Sequence, residues 1–147
     1  MAWIPFSIAS DNHGDMGDPV AIKAFLNFCD EFKPKIRIHL GDAIDYRGIR
    51  RGASPEDKYE SMQADYDDGT QFLRDYGANV WLWGNHDDRP NLMAENTNGV
   101  MRDYAARINQ DMLDFAKDQK CQVLPYDVAK GVYELGKVNS GGFRCVH

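Results

Sequence analysis

Three short clusters in this sequence bring together side chains that bind metals or move protons. Asp11-Asn12-His13 sets a carboxylate and an imidazole two positions apart, on one side if the backbone is extended. Asp42 follows Gly41, and Asn85, His86 and Asp87 follow Gly84, so each of these groups sits behind a residue that lets the backbone turn sharply. Oxygen and imidazole donors without thiolates suit Mn2+, Fe or Zn2+ in a catalytic site better than a structural zinc finger. Each cluster alone has a plainer reading as an Asx-turn or a glycine turn. The argument for chemistry is that all three occur in one chain, each directly after an apolar run.

Those runs are the elements that must position the donors. Residues 4–10, 35–40 and 79–83 read as buried strands, because each is short, apolar and stopped abruptly by polar residues. Between them lie helical patterns. Asp18-Pro19 opens the first, with Ile22, Phe25, Leu26 and Cys29 on its apolar face and Lys33-Pro34 closing it. Ser54-Pro55 opens a second, whose face runs through Tyr59, Met62, Tyr66, Gly69, Leu73 and Tyr76 to a stop at Gly77. A third covers 100–117, with Met101, Tyr104, Ala105, Ile108, Met112 and Phe115 inward. Short strands at 122–124, 132–135 and 143–147 make up a tail with no helix between them. The order β-α-β-α-β-α predicts an α/β fold with a parallel sheet. In such sheets ligands gather beyond the carboxyl ends of the strands, and all three clusters fall there.

Composition narrows the setting. The chain has 147 residues, one domain's worth, with 43% hydrophobic residues and a net charge of −6. That balance argues against a broad basic surface, so nucleic acid is possible as a partner but not favoured. Three cysteines without CxxC spacing fit a reducing compartment. Residues 1–6 show neither the charged n-region nor the long apolar core of a signal peptide, and no run is long enough to span a bilayer. A cytoplasmic protein without a membrane partner is the expectation.

In these residues the chain resembles the calcineurin-like metallophosphoesterases, whose pattern runs D-x-H, G-D-x-x-D, G-N-H-D/E, a lone histidine after a strand, then G-H-x-H. Asp11-Asn12-His13, Gly41-Asp42-Ala43-Ile44-Asp45 and Gly84-Asn85-His86-Asp87 match the first three motifs. His147, after Phe143-Arg144-Cys145-Val146, looks like the fourth, and no G-H-x-H follows in this sequence. The resemblance implies one metallophosphoesterase-like domain over 1–147, incomplete at its C-terminus. Its fold would be an α/β/β/α sandwich, here the β-α-β-α-β-α part plus the first strands of the second sheet.

The same resemblance implies two divalent metal ions (Mn2+, Fe or Zn2+). Asp11 and His13 would hold the first, Asn85 and His147 the second, and Asp42 would bridge them. His86 would meet phosphate and protonate the leaving oxygen as general acid. Asp87 would orient His86 by accepting its other N–H, with Asp45 in support. The activity implied is hydrolysis of phosphomonoesters or phosphodiesters by metal-activated hydroxide. Two alternatives stand beside it: a nuclease of the same family, and a truncated, catalytically inactive metal-binding or interaction domain, which the missing G-H-x-H would suit.

The remaining polar residues take structural readings first. His39 is expected to be a hydrogen-bonded strand histidine. Trp81 and Trp83, two apart on the third strand, belong in the core. Arg47, Arg50 and Arg51 form a solvated basic loop or meet a substrate phosphate. Asp65, Asp67 and Asp68 read as the wet face of a helix.

Overall fold

In a computed structural model, described for residues 3–95, 98–137 and 141–147, four short strands lie side by side and parallel. They are β1 (Phe6–Ala9), β2 (Ile36–His39), β3 (Val80–Leu82) and β4 (Gln122–Leu124), paired in that order. Parallel neighbours need long crossovers, and each connection here is helical. The helix α1 (Pro19–Phe32) joins β1 to β2, and α2 (Pro55–Tyr59) and α3 (Met62–Tyr76) join β2 to β3. The last crossover uses α4 (Arg89–Ala94) and α5 (Gly99–Asp118). An antiparallel pair, β5 (Tyr133–Leu135) and β6 (Phe143–Cys145), forms a separate two-stranded sheet.

Side chains alternate across β3 and so divide the core in two. Trp81 and Trp83 face the helices, where they pack with Cys29 of α1, Phe72, Leu73 and Tyr76 of α3, and Ile108, Met112 and Ala116 of α5. Val80 and Leu82 face the other way and join Ile38 beneath Leu135 and Cys145 of the β5–β6 pair. Each fully buried side chain of this size contributes about 1.5–3 kcal/mol. The layers run helices, parallel sheet, second sheet. This matches the mixed α/β architecture expected from the order of elements.

Local chemistry explains where the elements start and stop. Asp18 caps α1, its carboxylate accepting from the N–H groups of Val20 and Ala21. The helix expected to run from 55 to 76 is broken, because Glu60 is extended and Ser61 caps a second start by accepting from Ala64 N–H. Tyr59 therefore leaves the apolar stripe and is 91% exposed. In α5 the buried line is Ala105, Ile108, Met112 and Ala116, with Tyr104 half exposed rather than inward.

Two further elements differ from the expectation. Residues 122–124 belong to the parallel sheet rather than to the tail, because α5 is itself the crossover that returns the chain beside β3. The short helix α4, starting on Asp88 with Pro90 in its first turn, lies where no element was foreseen. Cys29, Cys121 and Cys145 are free thiols. No helix among the described residues is long and apolar enough to cross a membrane.

Candidate metal centre

The loops after β1 and β2 are laced together beyond the ends of the strands. Leu40 N–H donates to Ala9 O at 2.8 Å, and Asp11, His13 and Gly14 donate to the carbonyls of Gly41, Asp42 and Ala43 at 3.0, 3.0 and 2.9 Å. This lacing fixes the side chains only because Asp11, His13 and Asp42 all adopt left-handed backbone, with φ of 58°, 50° and 55°. Asp and His tolerate that region better than most residues, and such backbone outliers cluster at functional sites. The third loop closes in through two glycines. A Cβ on Gly41 would stand 2.6 Å from Gly84 N and 2.6 Å from the His147 ring, so both loops need bare backbone there.

Asp42 is the pivot of the resulting site. It is 4% exposed, and its Oδ1 accepts the His86 backbone N–H at 2.9 Å. On one flank, Asp45 Oδ1 accepts from the Nδ1–H of His13 at 3.3 Å and from the Nδ1–H of His86 in a short contact. Arg89 donates to Asp45 Oδ1 at 3.3 Å and to the His86 Nε2 at 3.1 Å. These partners leave Nε2 of both rings without a proton: that of His13 lies 3.8 Å from Asp11 Oδ1, and that of His86 3.9 Å from Asp42 Oδ2. Burial pushes the Asp45 carboxyl up, but His86, Arg89 and His13 outweigh it and hold it below the usual range.

On the other flank, His147 gives its Nδ1–H to Leu40 O at 2.8 Å, an arrangement that fixes the tautomer and bares Nε2. That nitrogen faces Asn85 Oδ1 at 3.1 Å and Asp42 Oδ1 at 3.6 Å. Three acceptors thus converge, a repulsive arrangement unless a cation comes between them or the ring takes up a proton. On the first flank His13, Asp42 and His86 each offer a donor atom within 4.8 Å of the others, close enough to share one ion. Oxygen and neutral imidazole donors in this number suit a divalent ion with open positions.

Buried carboxylates hold the loops from behind. Asp87 is fully buried and accepts from the N–H groups of Asp42, Gly84 and Ile44 at 2.8, 2.9 and 3.0 Å, with Ala43 at 3.4 Å. Burial pushes its pKa up to about 7, against the pull of those backbone donors. Asp65 of α3 accepts from Asp45 N–H at 3.0 Å and Tyr46 N–H at 2.5 Å, with burial raising its carboxyl. His39 is likewise buried between two partners, accepting from Gly41 N–H at Nδ1 and donating from Nε2 to Asn12 Oδ1 at 2.8 Å. Burial lowers its pKa to about 3, so it is a neutral brace, as expected of a strand histidine.

The structure therefore brings Asp11, His13, Asp42, Asn85, His86 and His147 to one end of the sheet. It departs from expectation at Asp87, which does not accept from the His86 ring. The turn at 84–87 aims that carboxylate inward at backbone N–H groups, and Asp45 takes the place assigned to it. Asp65 is not on a wet face, since it is only 2% exposed. Arg47 is bound by both oxygens of Asp15, and Arg50 is paired with Asp57. Arg89 was missed altogether, although its place three residues after His86 is within helical reach of that ring.

A family model for calcineurin-like phosphoesterases matches residues 4–147. Neither the curated proteins nor the solved structures yield a match to this chain.

Proposed function

The chain belongs to the calcineurin-like phosphoesterase family, which implies metal-dependent phosphoester hydrolysis, and on that footing we propose how its residues divide the work. His13 and Asp11 would hold one divalent ion with Asp42, and Asn85 and His147 would hold a second with the same carboxylate. When bound, such ions polarise the phosphoryl group and supply a nucleophile at neutral pH. Asp42 could serve both, since its Oδ2 lies toward the His86 ring at 3.9 Å and its Oδ1 toward the His147 ring at 3.6 Å. The observation that carries this reading is the convergence of unprotonated acceptors from three loops on one buried carboxylate.

His86 is the proton donor to the leaving oxygen. Asp45 holds its Nδ1–H and so presents Nε2, and Arg89 marks with its guanidinium where an anionic oxygen would meet that nitrogen. To donate, the ring must carry a proton at Nε2 while its Nδ1–H stays on Asp45. Asp87 acts only through the backbone it braces. A nuclease reading loses most of its support, because Arg47 and Arg50 of the basic loop are spent on carboxylates and only Arg51 is left to meet a polyanion.

Hydrolysis of bis(p-nitrophenyl) phosphate in excess Mn2+, stopped by EDTA, tests the reading together with His86→Ala. That variant should keep its bound metal and lose about 10²–10⁴-fold in kcat. Loss of metal from His86→Ala would instead make His86 a ligand, as its closeness to His13 and Asp42 also permits. Absence of any metal-dependent turnover in the wild-type chain would sink the proposal.

A further inference from the structure

A cleft of about 230 Å3 lies between α3 and α5, and none of the metal-centre donors lines it. Met62 and Tyr66 contribute from α3, Arg107, Ile108 and Asp111 from α5, and Tyr46 from the loop after β2. Tyr66 ties the two helices together, its hydroxyl donating to Asp111 O at 3.1 Å. Tyr46 is 1% exposed, and its hydroxyl is buried with no hydrogen-bond partner among the described residues. Burial first, and then Asp87, Tyr66, Asp65 and Asp111, push its pKa well above the ordinary phenol value. The hydroxyl therefore keeps its proton and has a hydrogen to donate. A buried donor left unmet is costly, and folded proteins keep few of them. On α5, Arg107 and Asp111 stand four positions apart, and neither charged group has an ion pair or hydrogen bond among the described residues.

We infer that this cleft is a second ligand site, separate from the metal centre, and that it takes a small zwitterion of the free amino acid class. A carboxylate supplies the acceptor that the Tyr46 hydroxyl lacks and pairs with Arg107, while an ammonium a few bonds away pairs with Asp111. A simple anion would leave Asp111 unmet, and a simple cation Arg107. At ~30 Å3 for each water-sized group the space holds about eight heavy atoms, which limits the occupant to the smaller amino acids. Met62 and Ile108 give a short aliphatic side chain an apolar, adaptable wall. The site backs on the loop that serves the metal centre, because Tyr46 follows Asp45 and Asp65 holds the backbone N–H of both.

The test uses the whole chain in Mg2+ buffer with 13C-methyl methionine, where Met62 reports on this cleft and Met16 on the cleft beside His13. L-Valine, 3-methylbutanoate and isobutylamine are titrated separately; the last two keep the aliphatic group and each lack one charge. Valine should shift the Met62 methyl, leave Met16 in place and bind about ten- to hundredfold more tightly than either, as one charge-assisted contact gives. Arg107→Gln should bring valine close to isobutylamine, and Asp111→Asn close to 3-methylbutanoate. Tyr46→Phe should weaken valine about tenfold yet leave the Tm of the free chain unchanged or higher, since it deletes a hydroxyl that bonds nothing there. Equal binding of the three compounds, or silence at Met62, would overturn the assignment. So would an affinity for valine that neither Tyr46→Phe nor Asp111→Asn reduces.

Discussion

The two flanks that meet at Asp42 are built in opposite ways. The flank carrying His13, Asp45 and His86 rests on buried carboxylates: Asp87 and Asp65 gather backbone N–H groups from the loops after β2 and β3. On the other flank Asn85 shares the braced loop after β3, but His147 has no such foundation among the described residues. That histidine follows the two-stranded sheet and is fixed by Leu40 O and a ring contact with Tyr126. The first flank is part of the fold's stability, so its donors stay in place with or without a ligand. The second is a side chain laid on a finished surface, so its geometry depends on what it binds. Positional precision at a metal site costs stability unless buried partners supply it.

The sharpest way to break this comparison is to remove the brace. Asp87→Leu leaves three well-made backbone N–H bonds without an acceptor, each worth about 1–3 kcal/mol when buried and unsatisfied. A stability loss of about 3 kcal/mol or more is expected in urea unfolding, with metal binding falling alongside. Little loss would mean that the loops stand without their carboxylate. Asp87→Asn, which keeps one acceptor oxygen, should lie between.

A smaller effect is expected from pH through His39. The unfolded imidazole takes a proton near its ordinary value of 6.5, and the buried one only near 3. Between these values the unfolded state binds the extra proton, so stability falls as pH drops, by about 1.4 kcal/mol per unit. From pH 6.5 to 5 that is about 1.7 kcal/mol, because the unfolded imidazole is only half protonated at the start of the interval. His39→Gln should flatten this part of the stability–pH curve, and an unchanged slope would show that His39 takes up its proton in the folded state.

The smallest stability change belongs to the second flank. His147→Ala should cost less than about 1 kcal/mol, one net hydrogen bond. It should still weaken metal binding by more than the ~10–100-fold of a change outside the ligand shell. A large drop in melting temperature would erase the contrast between the flanks.

The contrast also explains what the sequence could and could not disclose. Asp11, His13, Asp42, Asn85 and His86 were legible because each ends an apolar run, and a parallel sheet sends all such ends to one edge. The roles of the carboxylates were not, since a turn decides which way an acid points. Asp87 lies beside His86 in the chain, yet Asp45, forty-one positions away, holds its ring. Asp65 was misread by its company with Asp67 and Asp68. Its spacing of three from Met62 and four from Gly69 already put it on the buried stripe of α3. Arg89 carried only its distance from His86 as a signal. The break after Tyr59 was written in Ser61, a second capping residue inside what looked like one helix.

The proposed two-ion site turns on Asp42 serving both positions. The direct measurement is Mn2+ bound per chain at equilibrium, for wild type and Asp42→Asn, with circular dichroism confirming that both are folded. The account predicts two ions on the wild-type chain and the loss of both from the variant at the same free Mn2+. A folded Asp42→Asn that still holds both ions would contradict it.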